Sequence, residues 1–489
     1  MTVGNLCRLN SKLHLLQSRI RSLNFSSLAS PNANSTSKEQ SFLPIFKKCI
    51  TMNQISQLYS LIIRTGFAQN LLLIGKVINF CAVSESGDMR YATKVFRELE
   101  SPDGFLWNTM IRGFGRCGDA VEAFEWYKRM RETNVVTDNF TFCFLIKVCG
   151  RLGPDEVPVL MKLLHCCVVK HGWDSHVFVR NSLIHMYGMV KEITVARQLF
   201  DEIPEPELVA WNTMIDCCVS CAEFQEGIKL FELMLKRGIE PDAASLVIAL
   251  SACSAIGALD FGKWVHSLVD EKGLNRDVAV CNSLIDMYAK CGAVESAMRI
   301  FDRMNGRNVV TWNTMISGMA MHGHGDEALR LFSKMLDENL VSPNELTFLG
   351  VLCACNHNGM VEQGKTYFDN MVKDYKLNPT IKHYGCIVDI LGRAGFVGEA
   401  YRLIESMPME CNAIVWRTLL AACRVHGEVE LGEIVRKHLV EIEPDYSSDY
   451  VLLANMYADK EQWSKMATVR KSMRNRRVQK MEPGNSSMM

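Results

Sequence analysis

The sequence predicts an all-α fold, an α-solenoid built from stacked helix-turn-helix units, and three observations carry that reading. Short words recur at a nearly constant interval: W-N-T-M-I stands at 107–111, 211–215 and 312–316, spaced 104 and 101 residues apart, and a weaker copy, W-R-T-L-L, begins at Trp416. A different word, N-S-L-I-x-M-Y, occupies Asn181–Tyr187 and Asn282–Tyr288 with the same 101-residue spacing. Two unrelated words sharing one period mean a repeating architecture. The third observation is the helical period inside each repeat: A-x-x-x-F recurs at Ala92/Phe96, Ala196/Phe200, Ala297/Phe301 and Ala328/Phe332. Residues four apart share one helical face, so the small residue admits a neighbouring helix and the ring fills the space beside it.

Composition agrees. The chain has 489 residues, 48% apolar and 22% charged, with 13 prolines. That excludes general disorder, which needs low hydrophobicity and a large net charge. The 54 basic residues balance 54 acidic ones, so any polyanionic partner must be held locally rather than by a global cationic field. The 19 cysteines, scattered and often in apolar stretches, read as free thiols of a reducing compartment. The longest apolar run, Leu246 to Leu259, is 14 residues, short of the roughly 20 needed to span a bilayer, and reads as a buried helix.

The first element is an address. Residues 1–38 contain no Asp or Glu but carry Arg8, Lys12, Arg19, Arg21 and Lys38 among many serines. Leu9, Leu13, Leu16, Ile20 and Leu23 fall on one helical face beside the basic residues. An acid-free, basic, amphipathic leader is the pattern of an organelle transit peptide, so residues 1–39 are assigned to one; a plain cationic tail is the alternative. The Leu/Arg helix favours a mitochondrion, and the Ser/Asn-rich stretch 26–37 would also suit a chloroplast.

Each following unit reads as two helices. In 208–242, a first helix (A) covers L-V-A-W-N-T-M-I-D-C-C-V-S, a second (B) covers Q-E-G-I-K-L-F-E-L-M-L-K-R, and Gly238 and Pro241 end the second. A single pair cannot bury both apolar faces, so stacked neighbours supply the core and the A helices line a concave groove. The tryptophans at 107, 211 and 312 have apolar neighbours in the pattern and read as core rather than stacking platforms.

These words and unit lengths resemble the pentatricopeptide repeat (PPR) family, in the plant PLS subfamily that alternates standard, long and short motifs. I-E-P-D at 239–242 and N-S-L-I-D-M-Y-A-K-C-G at 282–292 match its motifs almost letter for letter. The resemblance implies a right-handed superhelix. The array at 40–412 divides into about eleven motifs: a partial long motif 40–70, short 71–103, standard 104–138, long 139–176, short 177–207, standard 208–242, long 243–277, short 278–308, standard 309–344, long 345–380 and short 381–412. Residues 413–446 and 447–484 resemble the first and second E motifs that follow such arrays, and 485–489 form a tail.

The resemblance also implies a function: sequence-specific binding of single-stranded organelle RNA to choose a site for C-to-U RNA editing, with a DYW-type deaminase or other editing factors recruited in trans. A role in RNA stability, processing or splicing, and a protein-binding scaffold like the tetratricopeptide arrays, are the alternatives. In this family each base is read by the fifth residue of a motif and its last. An Asn amide offers both a donor and an acceptor to a pyrimidine edge. Carried over, Asn108/Asp138 and Asn212/Asp242 read U, and Asn282/Asn308 and Asn313/Asn344 read C or, less well, U. Asn181 pairs with Glu207, whose base is left open. Gly75 and Gly385 have no side chain to read with. Counted from residue 71, the ten motifs should prefer x-U-x-Y-U-x-Y-Y-x-x, with Y a pyrimidine and the edited C four nucleotides 3′ of the last base. A fifth residue at each of these positions is expected to project into the groove; a solvent-facing residue, or one bonded to its own backbone, is the competing reading.

Phosphate contacts are expected from the basic run Lys465, Arg470, Lys471, Arg474, Arg476, Arg477 and Lys480. It would hold RNA 3′ of the array or meet an acidic partner, unless it is only a solvated helix end. No catalytic centre is expected. A zinc deaminase needs His-x-Glu followed by Pro-Cys-x-x-Cys; His426-Gly427-Glu428 supplies the first half, but Cys423 is the last cysteine. Cys218 and Cys221 have C-x-x-C spacing without a second pair, so no metal, cofactor or membrane partner is assigned.

Overall fold

The computed structural model describes residues 35–150 and 157–476; residues 1–34 of the leader, and the Gly153-Pro154 segment of the long motif 139–176, fall outside them. Among the described residues there are twenty-six α-helices and no strand. They occur as consecutive antiparallel pairs, an A helix followed by a B helix. Within each unit, A helices pack on successive A helices, as Val309–Met321 does on Glu345–His357, and B helices pack against consecutive A helices, as Gly325–Glu338 does against those two. This is an α-solenoid. Contacts group the chain into two compact units, one ending at Ala222 and the other beginning at Glu223.

In the first unit the A helices are Ser35–Phe46, Leu71–Val83, Gly104–Arg116, Asn139–Cys149, Val177–Met189 and Leu208–Ser220. In the second they are Ala243–Ile256, Val278–Lys290, Val309–Met321, Glu345–His357, Ile381–Arg393, Ala413–His426 and Ser447–Asp459. The three motif lengths have a simple structural cause. B helices of the short motifs, such as Ile193–Asp201 and Val397–Glu405, have 9 residues, whereas Phe224–Lys236 and Leu259–Glu271 have 13. The difference is about one helical turn.

The two recurring words meet in the core. Phe96, Phe200 and Phe301, the rings of A-x-x-x-F, lie edge to face on Trp107, Trp211 and Trp312 of the next A helix, with centroids 4.8, 4.9 and 4.9 Å apart. Before a long motif Phe348 replaces the tryptophan and Phe332 meets it at 5.6 Å. The alanines of the word, Ala92, Ala196, Ala297 and Ala328, are fully buried. These tryptophans are therefore core residues. Successive A helices approach closely through small residues: a Cβ on Gly318 would stand 2.7 Å from that of Ala289, and one on Gly392 would stand 2.8 Å from that of Ala422.

One expected helix is interrupted. The apolar run 246–259 is not a single helix, because Ala243–Ile256 ends at Gly257, whose φ of 68° is the left-handed cap that glycine adopts without strain. Leu259 begins the following B helix. No helix among the described residues is long and apolar enough to cross a membrane.

Candidate nucleic-acid interface

The last residue of each motif is the N-cap of the next A helix. Asp103, Asp138, Asp242, Asn308, Asn344 and Asn412 each accept a hydrogen bond from a backbone N–H of the first helical turn. Asp and Asn suit this position because a short side-chain oxygen satisfies an otherwise unpaired N–H. Local helix chemistry thus accounts for Asp or Asn at these sites before any ligand is considered.

The fifth residue joins that cap. Asn108 Nδ2 donates to Asp138 Oδ1 at 2.9 Å, and the hydroxyl of Thr141, third residue of the next motif, donates to Asn108 Oδ1 at 2.7 Å. The same triad recurs in the second unit: Asn313 Nδ2 to Asn344 Oδ1 at 3.0 Å, and Thr347 Oγ1 to Asn313 Oδ1 at 2.6 Å. The Asp138 carboxylate can only accept, so it turns the Asn108 amide with Nδ2 toward the cap and Oδ1 toward the Thr141 hydroxyl. The threonines are residues that sequence reasoning missed. Their signal was the Thr three residues after these caps, as in N-F-T-F and E-L-T-F, which closes a capping box at Asp138, Asn308 and Asn344.

Asn108 and Asn313 are therefore buried and bonded, rather than simply projecting into open space. An amide between two packed helices needs partners, because an unpaired buried polar group is costly. The triad leaves each fifth residue one Nδ2 proton and the second lone pair of Oδ1. It leaves the cap residue its other polar atom: a carboxylate oxygen in Asp138, an amide nitrogen in Asn344.

Other pairs are looser. Asn282 Nδ2 reaches Asn308 Oδ1 at 3.5 Å, and Thr311 donates to Asn308 instead. Asn181 and Asn282 each keep a buried Oδ1 without a partner. Asn181 has no hydroxyl to meet, since the third residue of the next motif is Ala210, and Glu207 makes no side-chain cap. Asn212 lies on Leu208–Ser220, which closes the first unit, and Asp242 caps Ala243–Ile256 in the second through Ser245. A depression of about 860 Å³ runs along the A helices beside Gly385, lined among others by Cys353, Asn356, Asp389 and Asn412. A second polar ladder, also unforeseen, runs along these helices: Ser254 donates to Asp286, which Lys290 pairs with, and Asn356 donates to Asp389, which Arg393 pairs with.

Of the basic run, Lys465 is held by Glu433 at 3.1 Å, whereas Arg470, Lys471, Arg474 and Arg476 are exposed on or just beyond Trp463–Asn475. Arg477 and Lys480 lie outside the described residues. His426-Gly427-Glu428 is a helix end and turn, with Gly427 at φ 71° and Glu428 capping the next helix. Cys218 is buried and Cys221 half-buried, and among the described residues no cluster of His, Cys, Asp and Glu has metal-ligand geometry.

Models of the PPR repeat family match residues 102–151, 206–255 and 307–357, and a PPR repeat model matches 279–309 and 382–411. A pentatricopeptide repeat-containing protein of Arabidopsis thaliana, named as chloroplastic/mitochondrial, is 40% identical across 94% of this chain and 74% of its own length. The chain belongs to the pentatricopeptide repeat family. A second Arabidopsis thaliana PPR protein, named as mitochondrial, is 36% identical across 91% of this chain and 69% of its own. An E motif model matches residues 426–488. The crystal structure of the PPR protein PPR10 from maize superposes with a TM-score of 0.60 at 19% identity, covering 88% of this chain and 67% of that one, a likeness of fold.

Proposed function

We propose that this PPR protein is a sequence-specific single-stranded RNA-binding protein of a plant organelle, acting as a site-recognition factor for C-to-U editing and bringing a DYW-type deaminase in trans. The observation that carries the reading is the recurring triad of fifth residue, cap residue and threonine. In the triad of Asn108 the free oxygen of Asp138 is an acceptor only, which suits the N3–H of uracil. In that of Asn313 the cap oxygen of Asn344 already accepts from Asn313 and from the Thr347 N–H, so its nitrogen faces outward as a donor, which suits the bare N3 of cytosine. The identity of the cap residue thus selects the base, through which cap atom the helix leaves unused.

The E motif match supports editing over the second reading, a factor for RNA stability, processing or splicing. The Leu/Arg amphipathic pattern of the leader favours the mitochondrion over the chloroplast. The protein selects and positions; the deamination itself belongs to the recruited partner.

In-vitro selection from random single-stranded RNA tests the reading. The expected product carries U facing Asn108 and a pyrimidine facing Asn313. Binding without base preference at either position, or no RNA binding at all, would overturn it.

A further inference from the structure

The hairpin that follows the last short motif, Ala413–His426 with Val429–Ile442, reproduces the geometry of the reading motifs and changes every member of the triad. Trp416 holds the place of Trp312, so Arg417 holds the place of Asn313. Tyr446, N-cap of Ser447–Asp459, holds the place of Asn344, and Asp449 holds that of Thr347. We infer that Arg417 closes this position to RNA and so sets the 3′ limit of base reading at the motif 381–412.

The contacts engage Nε and one terminal nitrogen of the Arg417 guanidinium. Arg417 Nε donates to Asp449 Oδ1 at 3.0 Å, and its NH2 nitrogen donates to Asp449 Oδ2 at 3.2 Å and to Glu443 at 2.6 Å. Its guanidinium carbon sits 3.7 Å from the centre of the Tyr446 ring, so the cation is stacked as well as paired. Asp449 is almost wholly buried, its side chain 3% exposed. A bidentate pair of this kind is rigid and directional. It fills the space where an amide would meet a base edge, and it fixes the ring of Tyr446 against the arginine.

The charge points the same way. One guanidinium faces the two carboxylates of Glu443 and Asp449, leaving a net negative charge, and Glu441 and Asp445 stand nearby in sequence. A phosphate is repelled by such a site rather than held. The strand therefore runs unread past this hairpin, and the nucleotides between the last read base and the edited one are counted by length and not by identity. This inference rests on the base-reading function proposed above.

The test uses the full chain and a set of RNAs carrying the preferred ten bases, followed by one nucleotide varied through A, C, G and U. Wild type should bind all four alike. The triple variant Arg417→Asn, Tyr446→Asn, Asp449→Thr, which copies Asn313, Asn344 and Thr347, should gain a preference for C at that nucleotide of about 5- to 150-fold, the range of one good base contact. Wild-type discrimination of that size at the eleventh base would overturn the inference. So would a folded triple variant, checked by circular dichroism, that still binds all four alike. If the triple variant does not fold, the wild-type series decides alone. The same protein is assayed with the base facing Asn313 varied. Discrimination there with none at the eleventh base supports the inference; loss at both overturns base reading itself and this inference with it.

Discussion

Phe301 and Trp312 meet edge to face at 4.9 Å and 77°, joining the B helix of a short motif to the A helix of the standard motif that follows. Arg307 caps the pair, its guanidinium 4.6 Å from the centre of the phenylalanine ring and 5.8 Å from that of the tryptophan. Because the contact crosses the boundary between motifs, it couples neighbouring repeats, which a one-dimensional array needs in order to fold as more than separate hairpins.

Replacing Phe301 with Ala should cost about 3–5 kcal/mol, the usual penalty for emptying a buried aromatic site. Hydrogen exchange is the measurement, because a repeat array need not unfold as one step. Protection should fall most in Val294–Arg303 and Val309–Met321 and least in distant repeats. Uniform loss across the chain would show that coupling does not decay with distance.

Asp138→Asn should move the preferred base facing Asn108 from U toward C while keeping the cap, since Asn also caps helices well. Asn108→Ala should weaken binding by about 5- to 150-fold and relax selectivity at that one base. Selected RNA pools from wild type and both variants make the comparison, and identical motifs from all three would refute the assigned register.

Thr347→Val removes the hydroxyl that orients the Asn313 amide without changing its bulk greatly. The expected result is reduced selectivity for C over other bases facing Asn313, with a smaller loss of affinity. The cost in stability should be about 1–3 kcal/mol, because Asn313 Oδ1 is left without its partner. Equilibrium binding to four RNAs differing at that base, with a thermal melt of each protein, separates the two effects.

Arg417→Ala should destabilise the C-terminal hairpins by about 3 kcal/mol, the lower end for breaking a buried pair, since Arg417 is itself partly exposed and Asp449 is not. Adding Asp449→Ala should recover part of that loss, because the uncompensated carboxylate is gone. A double-mutant cycle measured by chemical denaturation gives the coupling. Additive effects would mean that the pair contributes nothing of its own.

His383 supplies an acid-sensitive point. Burial pulls its pKa below the ordinary 6.5, opposed by its bond to the Glu345 carbonyl. Nε2 lies 2.8 Å from that carbonyl and so carries the proton, while Nδ1 accepts from the Thr380 N–H at 3.0 Å. A second proton on Nδ1 would face that N–H. The unfolded chain takes up this proton more readily than the folded one, so the contribution to stability is intact above about pH 6.5 and is lost as pH falls from there through the folded pKa. Thermal midpoints of wild type and His383→Gln should therefore converge at acid pH; a constant gap would exclude this histidine as the cause.

Repeats, helix pairs and caps were legible in the sequence because their causes are local. The spacing of Ala297 and Phe301, the Asp or Asn before most A helices and glycines such as Gly257 and Gly427 after them act within a turn or two of chain, and periodicity reports them. The triad was only half legible. Asn108, Asp138 and Thr141 are brought together across 30 and 33 positions by the stacking of A helices. Whether an amide there is free, bonded or buried depends on how closely those helices approach, which small residues such as Gly318 and Ala289 decide in three dimensions. The tryptophan word likewise continues into Trp416-Arg417, where the letters look like one more reading motif. Only the packed structure shows Asp449, 32 positions on, filling the place of a threonine and turning that position into a closed ion pair.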